Sequence, residues 1–211
     1  MGLISLLTRD PLAFVVLAVL LLYSIIAHEV AHGWVAKLFG DTLAEEEGRL
    51  TANPMPHIDP IGLLMLFVAG FGWARPVPIN YGYLRRTRFG LIAVSLAGVT
   101  ANFIIAFAAA LLLEFSMIRG IPPIALALTV AVKINVILAA FNLIPIPPLD
   151  GSKVLAEFLP IEARVKFFQF ERYGFFVLIL LIFTGLLNPV INVMQGAVYG
   201  LLGLILSPFH F

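Results

Sequence analysis

Residues 11–39, PLAFVVLAVLLLYSIIAHEVAHGWVAKLF, form an apolar run that carries two histidines and a glutamate in its interior. About 20 helical residues cross the hydrocarbon core of a bilayer, so this run is long enough to span it. Ionisable side chains at that depth cost on the order of several kcal/mol, so a cluster of three is expected to have a function or a mutual partner. The run is too long for a secretion signal and lacks a small-residue cleavage site, so it reads as a retained segment.

Hydrophobic residues make up 61% of the 211 positions and charged residues 12%. Soluble domains are about half apolar and roughly a quarter charged, and a soluble fold could not hide so much apolar surface. The chain reads as an all-α polytopic membrane protein. One membrane-embedded domain is expected over 1–211, with its core at about 11–160 and C-terminal helices at about 172–206. Apolar spans fall at about 11–39, 89–113, 122–145 and 172–187, and a Gly-rich stretch at 190–206 either crosses or lies along the interface. About five to six transmembrane helices are therefore expected. The shorter segment IGLLMLFVAGFGW, 61–73, ends in glycines and is expected to enter the membrane and return. Before it, EEEGRLTANPMPHIDP holds Gly48 and three prolines and is excluded as a lipid-facing helix. RLTAN and ARPVPIN are candidate short strands, so a re-entrant or β-hairpin element is expected near the polar cluster. Cysteine is absent, which excludes disulfides and thiolate metal sites. The net charge of +1 says nothing about partners, and no basic, aromatic-interleaved patch points to nucleic acid.

His28, Glu29 and His32 form the pattern H-E-x-x-H. Positions i and i+4 lie on one helix face, so both imidazoles can reach one metal ion. Glu29 is placed to hold and deprotonate a metal-bound water, whose pKa zinc lowers towards neutrality. Catalytic zinc takes three protein ligands and keeps one open position. Without cysteine, the third ligand must be His, Asp or Glu, and the candidates include His57, His210, Asp59, Glu114 and Asp150. Asp150 stands out because it follows FNLIPIPPL, where three prolines end an apolar helix. Such backbone at membrane depth is tolerated only where it is buried in protein or lines a cavity. The competing role for Asp150 is to cap the segment beginning GSKVLAEF.

Charge gives an independent constraint. If 61–73 crossed the membrane, His28 and Asp150 would lie near opposite faces. If it dips and returns, they share a face with Lys37, Arg49, Arg75, Arg85, Arg86, Arg88, Lys153, Arg164, Lys166 and Arg172, leaving Arg9 and Arg119 on the other. The positive-inside rule then puts the metal-proximal side in the cytoplasm and the N-terminus outside.

HEVAHGW, GRLTANPMPHIDPIG, FGWARPVPIN and NLIPIPPLDG together resemble the site-2 protease family of intramembrane zinc metalloproteases, in its small prokaryotic branch without a PDZ domain. The resemblance runs from about residue 20 to 175. It implies one catalytic zinc ion held by His28, His32 and Asp150, with Glu29 as the catalytic acid/base. It also implies a substrate-positioning role for Asn142, in the motif N-x-x-P-x-x-x-L-D-G. AGVTANF is similar to the family's A-G-P-x-x-N-F segment, with Val99 in place of proline and Asn102 as a further substrate-side candidate. The implied reaction is hydrolysis of peptide bonds in or next to transmembrane segments of membrane-protein substrates, in regulated intramembrane proteolysis. The implied location is a prokaryotic cell membrane.

An unwound substrate is expected to pair with an exposed strand edge in 71–80 or 47–53. His57 either lies near the metal or structures its loop. Lys133, midway along an apolar helix, pairs, snorkels or lines a wet cavity. Trp34 and Trp73 read as interfacial anchors. A membrane metal-ion transporter and a non-catalytic scaffold are the competing functions. Transporters commonly show paired inverted repeats, and none is visible here. A scaffold would have no need of Glu29.

Overall fold

Asp10 starts the first long helix, α1 (Pro11–Leu38): its carboxylate accepts the Ala13 N–H at 2.9 Å, and Pro11 takes the first helical position, where no N–H is needed. Short helices α2 (Leu43–Glu46), α3 (Pro60–Ala69) and α4 (Tyr81–Leu84) connect it to α5 (Arg88–Glu114). The chain continues through α6 (Ser116–Arg119), α7 (Pro122–Asn142), α8 (Asp150–Phe158), α9 (Ile161–Phe183) and α10 (Asn188–Leu206). These elements come from a computed structural model, which describes residues 7–69, 72–84 and 88–209. His210, Arg85 and Arg86, invoked above, lie outside the described residues.

Among the described residues four helices, α1, α5, α7 and α10, are long and apolar enough to cross a membrane, and the expected five to six spans go beyond what that count supports. The expected span at 172–187 falls mostly within α9, whose first half carries Glu162, Arg164, Lys166, Glu171 and Arg172. The apolar remainder is too short for a crossing. The Gly-rich stretch 190–206 lies within α10.

Neither expected strand forms. Among the described residues there is one isolated antiparallel bridge, Ile58 to Ala74, and no sheet. In ARPVPIN, Pro76 and Pro78 supply no ladder donors. RLTAN bends instead, because the Asn53 N–H bonds Thr51 Oγ1 and the Met55 N–H bonds Asn53 Oδ1, each at 3.1 Å.

Helix α5 is central and packs against α1, α7 and α8. Its seams are lined by small buried residues, among them Ala97, Ala106, Ala109, Ala131, Ala139 and Ala140. In lipid, close backbone approach and van der Waals packing replace the hydrophobic drive, so small residues belong at such seams. Ala106, Val136, Ala140, Val198 and Leu202 join α5, α7 and α10 in one core. A second core, Ala36, Leu84, Leu91 and Val94, seats the end of α1 against α4 and α5. Large apolar side chains such as Leu12, Ile104, Leu126 and Leu204 point outward, as suits a lipid-facing surface.

Candidate metal centre

One helical turn separates His28 from His32 on the α1 face that meets α5, and their rings stand 4.7 Å apart at 83°. The other ring nitrogen of each is tied down. His28 Nδ1 meets Asn102 Oδ1 at 2.6 Å, and His32 Nδ1 meets the Val94 carbonyl at 2.6 Å. Both partners are oxygens that can only accept, so each Nδ1 carries a proton, and in the neutral ring each Nε2 presents a lone pair. Gly98 makes room for this: a Cβ there would lie 2.5 Å from both Nε2 atoms.

Asp150 opens α8, where the helix dipole favours a carboxylate. The chain reaches it through Pro145, Pro147 and Pro148. Gly151 lets the turn pass tightly over α7, since a Cβ there would strike the Leu143 carbonyl. Asp150 Oδ2 sits 3.1 Å from both His28 Nε2 and His32 Nε2, which are themselves 3.1 Å apart. Its other oxygen, Oδ1, accepts from Lys153 Nζ at 3.2 Å. Burial works against the Lys153 charge, but Tyr81 and Asp150 outweigh it and raise the ammonium above its ordinary range.

His28, His32 and Asp150 are all buried, at 5–6% exposure. With both imidazoles neutral, two ring lone pairs and a carboxylate oxygen converge on one point, an arrangement that suits a cation. Tetrahedral zinc with ligands at about 2.0–2.1 Å places ligand atoms about 3.3 Å apart, close to the 3.1 Å separations found. The residues fit one zinc ion.

Glu29 is held by a separate segment of the chain. Its Oε2 accepts the Val77 N–H at 3.0 Å. Val77 belongs to an extended segment held from several directions. Buried Arg49 donates to the Arg75 and Pro76 carbonyls at 2.8 and 3.1 Å, the Arg75 N–H donates to the His57 carbonyl at 2.8 Å, and the Asn80 N–H donates to Asp41 at 2.7 Å. With those donors engaged and Pro76 and Pro78 lacking one, this stretch offers substrate little of the open edge expected of it.

The remaining candidates fall outside the metal cluster. Asn142 ends α7 and donates to its own helix at Leu138, 3.0 Å away. His57 is buried and donates from Nε2 to the Thr51 carbonyl at 3.0 Å, so it structures its loop. Asn102 touches His28 rather than an open cleft. Sequence reasoning gave no site role to Ser24, Asn135, Asp41 or Lys153. Ser24 and Asn135 carried a signal, being polar residues inside membrane-length apolar helices.

A family model described as Peptidase family M50 matches residues 121–185, the stretch that delivers Asp150. The chain is 38% identical over 203 residues to the Bacillus subtilis (strain 168) protein named "Putative zinc metalloprotease YwhC", covering 91% of this chain and 93% of that one. It is 31% identical over 193 residues to the Mycobacterium tuberculosis H37Rv protein named "Putative zinc metalloprotease Rip2", covering 86% and 73%. It is also 26% identical over 153 residues to "Zinc metalloprotease MJ0392" of Methanocaldococcus jannaschii, covering 72% and 36%. No solved structure matches the chain. A zinc-sized cluster of acceptors inside a bundle of membrane-length helices, together with near full-length similarity to a protein carrying a zinc metalloprotease name, places this chain in peptidase family M50, the site-2 protease family of membrane zinc metalloproteases.

Proposed function

We propose that the chain hydrolyses peptide bonds in or next to transmembrane segments of membrane-protein substrates, as a step of regulated intramembrane proteolysis. The observation that carries this reading is the convergence of His28 Nε2, His32 Nε2 and Asp150 Oδ2 at 3.1 Å beside the anchored Glu29. These three residues would hold the zinc, which would supply Lewis acidity towards a carbonyl and a water. Glu29 accepts a proton from water and later returns it to the leaving amine. The Val77 N–H holds one carboxylate oxygen of Glu29 and leaves the other for proton transfer.

Substrate approaches along the lipid-facing side of α1. A cavity of about 370 Å³ there is walled by α1, α3 and Trp73, with Ile25 and Ile26 one turn before Glu29 and Asp59 among its few polar groups. An unwound apolar stretch fits that lining, and Asn142 lies one turn beyond Leu138 of that wall at the end of α7, as a substrate-positioning residue. The segment 61–73 dips into the membrane and returns, so the metal lies near the cytoplasmic face of a prokaryotic cell membrane with the N-terminus outside. Lys37, Arg49, Arg75, Lys153, Arg164, Lys166 and Arg172 support that orientation by the positive-inside rule. The whole chain acts as one domain.

Purified protein incubated with a model transmembrane substrate tests the reading. Glu29→Gln is expected to keep zinc and lose cleavage. Cleavage by that variant at the wild-type rate overturns the mechanism, and zinc flux into liposomes without cleavage replaces it with transport.

A further inference from the structure

Asn102 and Asn135 are fully buried, and Ser24 nearly so, inside helices that otherwise present apolar residues. They form one chain across α1, α5 and α7 that ends on His28. We infer that Asn102, locked in orientation by Asn135 and Ser24, is a positioning residue that fixes His28 as its Nδ1–H tautomer and keeps Nε2 available to the metal. This inference rests on the reading of His28 as a zinc ligand.

The direction of every bond in the chain follows from groups that can only accept. The Ala131 carbonyl lies 2.9 Å from one end of the Asn135 amide, so that end is the NH2. The same nitrogen donates to Ser24 Oγ at 2.9 Å. Asn135 must therefore present its oxygen to Asn102, and Asn102 Nδ2 donates to it at 2.8 Å. The Ser24 carbonyl, 3.2 Å from that same nitrogen, imposes the same orientation. The Asn102 atom left to face His28 is its oxygen, 2.6 Å from Nδ1. An amide oxygen cannot donate, so the imidazole proton resides on Nδ1.

A histidine in solution exchanges its proton between the two nitrogens, and only one tautomer offers Nε2 to a metal. Outer partners of this kind set the tautomer and ring orientation of metal-bound histidines, and their loss typically weakens metal binding 10–100-fold. Ser24 lies one turn before His28 on α1, so the helix that supplies the ligand also supplies part of its restraint. Asn135 anchors the arrangement from α7 without touching the ring. Asn102 therefore belongs to the metal's support and not to the substrate surface that its sequence context suggested.

The test uses full-length protein in detergent, with zinc affinity read by competition against a chromophoric chelator and the His28 tautomer read by nitrogen-15 NMR of the zinc-free state. Asn102→Leu is expected to lower zinc affinity about 10–100-fold and to mix the His28 tautomers. Asn102→Asp retains the acceptor facing Nδ1 and is expected to recover part of that loss, short of wild type because its second oxygen cannot donate to Asn135 or the Ser24 carbonyl. Asn135→Leu, which touches no ligand, provides the same test should Asn102→Leu fail to fold, and is expected to shift both readouts in the same direction. Wild-type zinc affinity and an unmixed Nδ1–H tautomer in the folded leucine variants overturn the inference. His28→Ala separates the two levels: zinc binding that survives it sinks the ligand assignment itself. Loss of zinc in His28→Ala but not in the leucine variants sinks only the role of the chain.

Discussion

Replacing Gly98 with alanine inserts a methyl group where the two metal-binding imidazoles meet. The new Cβ would lie 2.5 Å from His28 Cε1 and Nε2 and from His32 Nε2, where ordinary contact begins near 3.4 Å, a deficit of 3.4 − 2.5 = 0.9 Å. Neither ring can retreat freely, because Asn102 and Val94 hold the Nδ1 atoms at 2.6 Å. Metal–ligand distances tolerate departures of only about 0.2 Å. Relief must come from breaking an Nδ1 bond or from moving α5 off α1, where small residues otherwise let the backbones approach. Overpacking costs about 1–3 kcal/mol in a well-packed core, and the upper part of that range applies because neither ring has room to yield. Zinc affinity of Gly98→Ala is therefore expected to fall by about 100-fold, or about 2.7 kcal/mol. Competitive titration against a chelator measures the affinity, and the melting temperature of zinc-free protein monitors the packing cost separately. A variant that folds and binds zinc as tightly as wild type refutes the placement of Gly98 against both rings.

Val77→Pro removes the N–H that holds Glu29 while suiting the extended Pro-rich backbone. Losing a hydrogen bond to a charged group is worth about 1.5–3 kcal/mol, so kcat should drop at least tenfold with KM and zinc content unchanged, while Val77→Ala stays near wild type. Equal kcat in the proline variant would mean that the contact does nothing for the base. Lys153→Met strips the ammonium from Asp150 Oδ1 and is expected to weaken zinc about tenfold; unaltered chelator competition would discount Lys153 as a restraint on the carboxylate. Zinc removal should lower the melting temperature, since a ligand at 100 times its Kd stabilises by about 2.7 kcal/mol. Re-adding zinc should restore it in wild type and fail to do so in Asp150→Ala, and matching responses from the two proteins would argue against Asp150 as a ligand.

The cluster of His28, Glu29 and His32 was legible in the sequence because helical spacing is local and because the membrane makes polar residues conspicuous. Asp150 was legible for a different reason, since Pro145, Pro147 and Pro148 announce a broken helix that has to be sheltered. Long-range partners were less accessible. Nothing in the spacing of Gly98, Asn102 and Asn135 says that they lie around His28, because α5 and α7 could rotate about their axes without altering any sequence pattern. The expected strands failed for a local reason that the sequence did contain. Pro76 and Pro78 remove alternate donors, the Arg75, Val77 and Asn80 N–H groups go to His57, Glu29 and Asp41, and Arg49 occupies the Arg75 and Pro76 carbonyls. The apolar run at 172–187 is short of a full crossing by its own length, and most of the charges of α9 precede it.

Polar groups inside a bilayer are costly unless they find partners. Three separate chains of partners meet this requirement here and end at one point. Ser24, Asn135 and Asn102 satisfy one another and finish on His28 Nδ1. The Val94 carbonyl satisfies His32 Nδ1. Lys153 satisfies Asp150 Oδ1. Each chain fills its donors and acceptors in turn and leaves a single acceptor facing the same space. Satisfying the periphery is thus what creates the deficit at the centre. Binding the cation and stabilising the bundle are consequently one event. A ligand substitution also removes part of a chain that joins transmembrane helices, so its effect on folding should exceed that of withdrawing the metal alone.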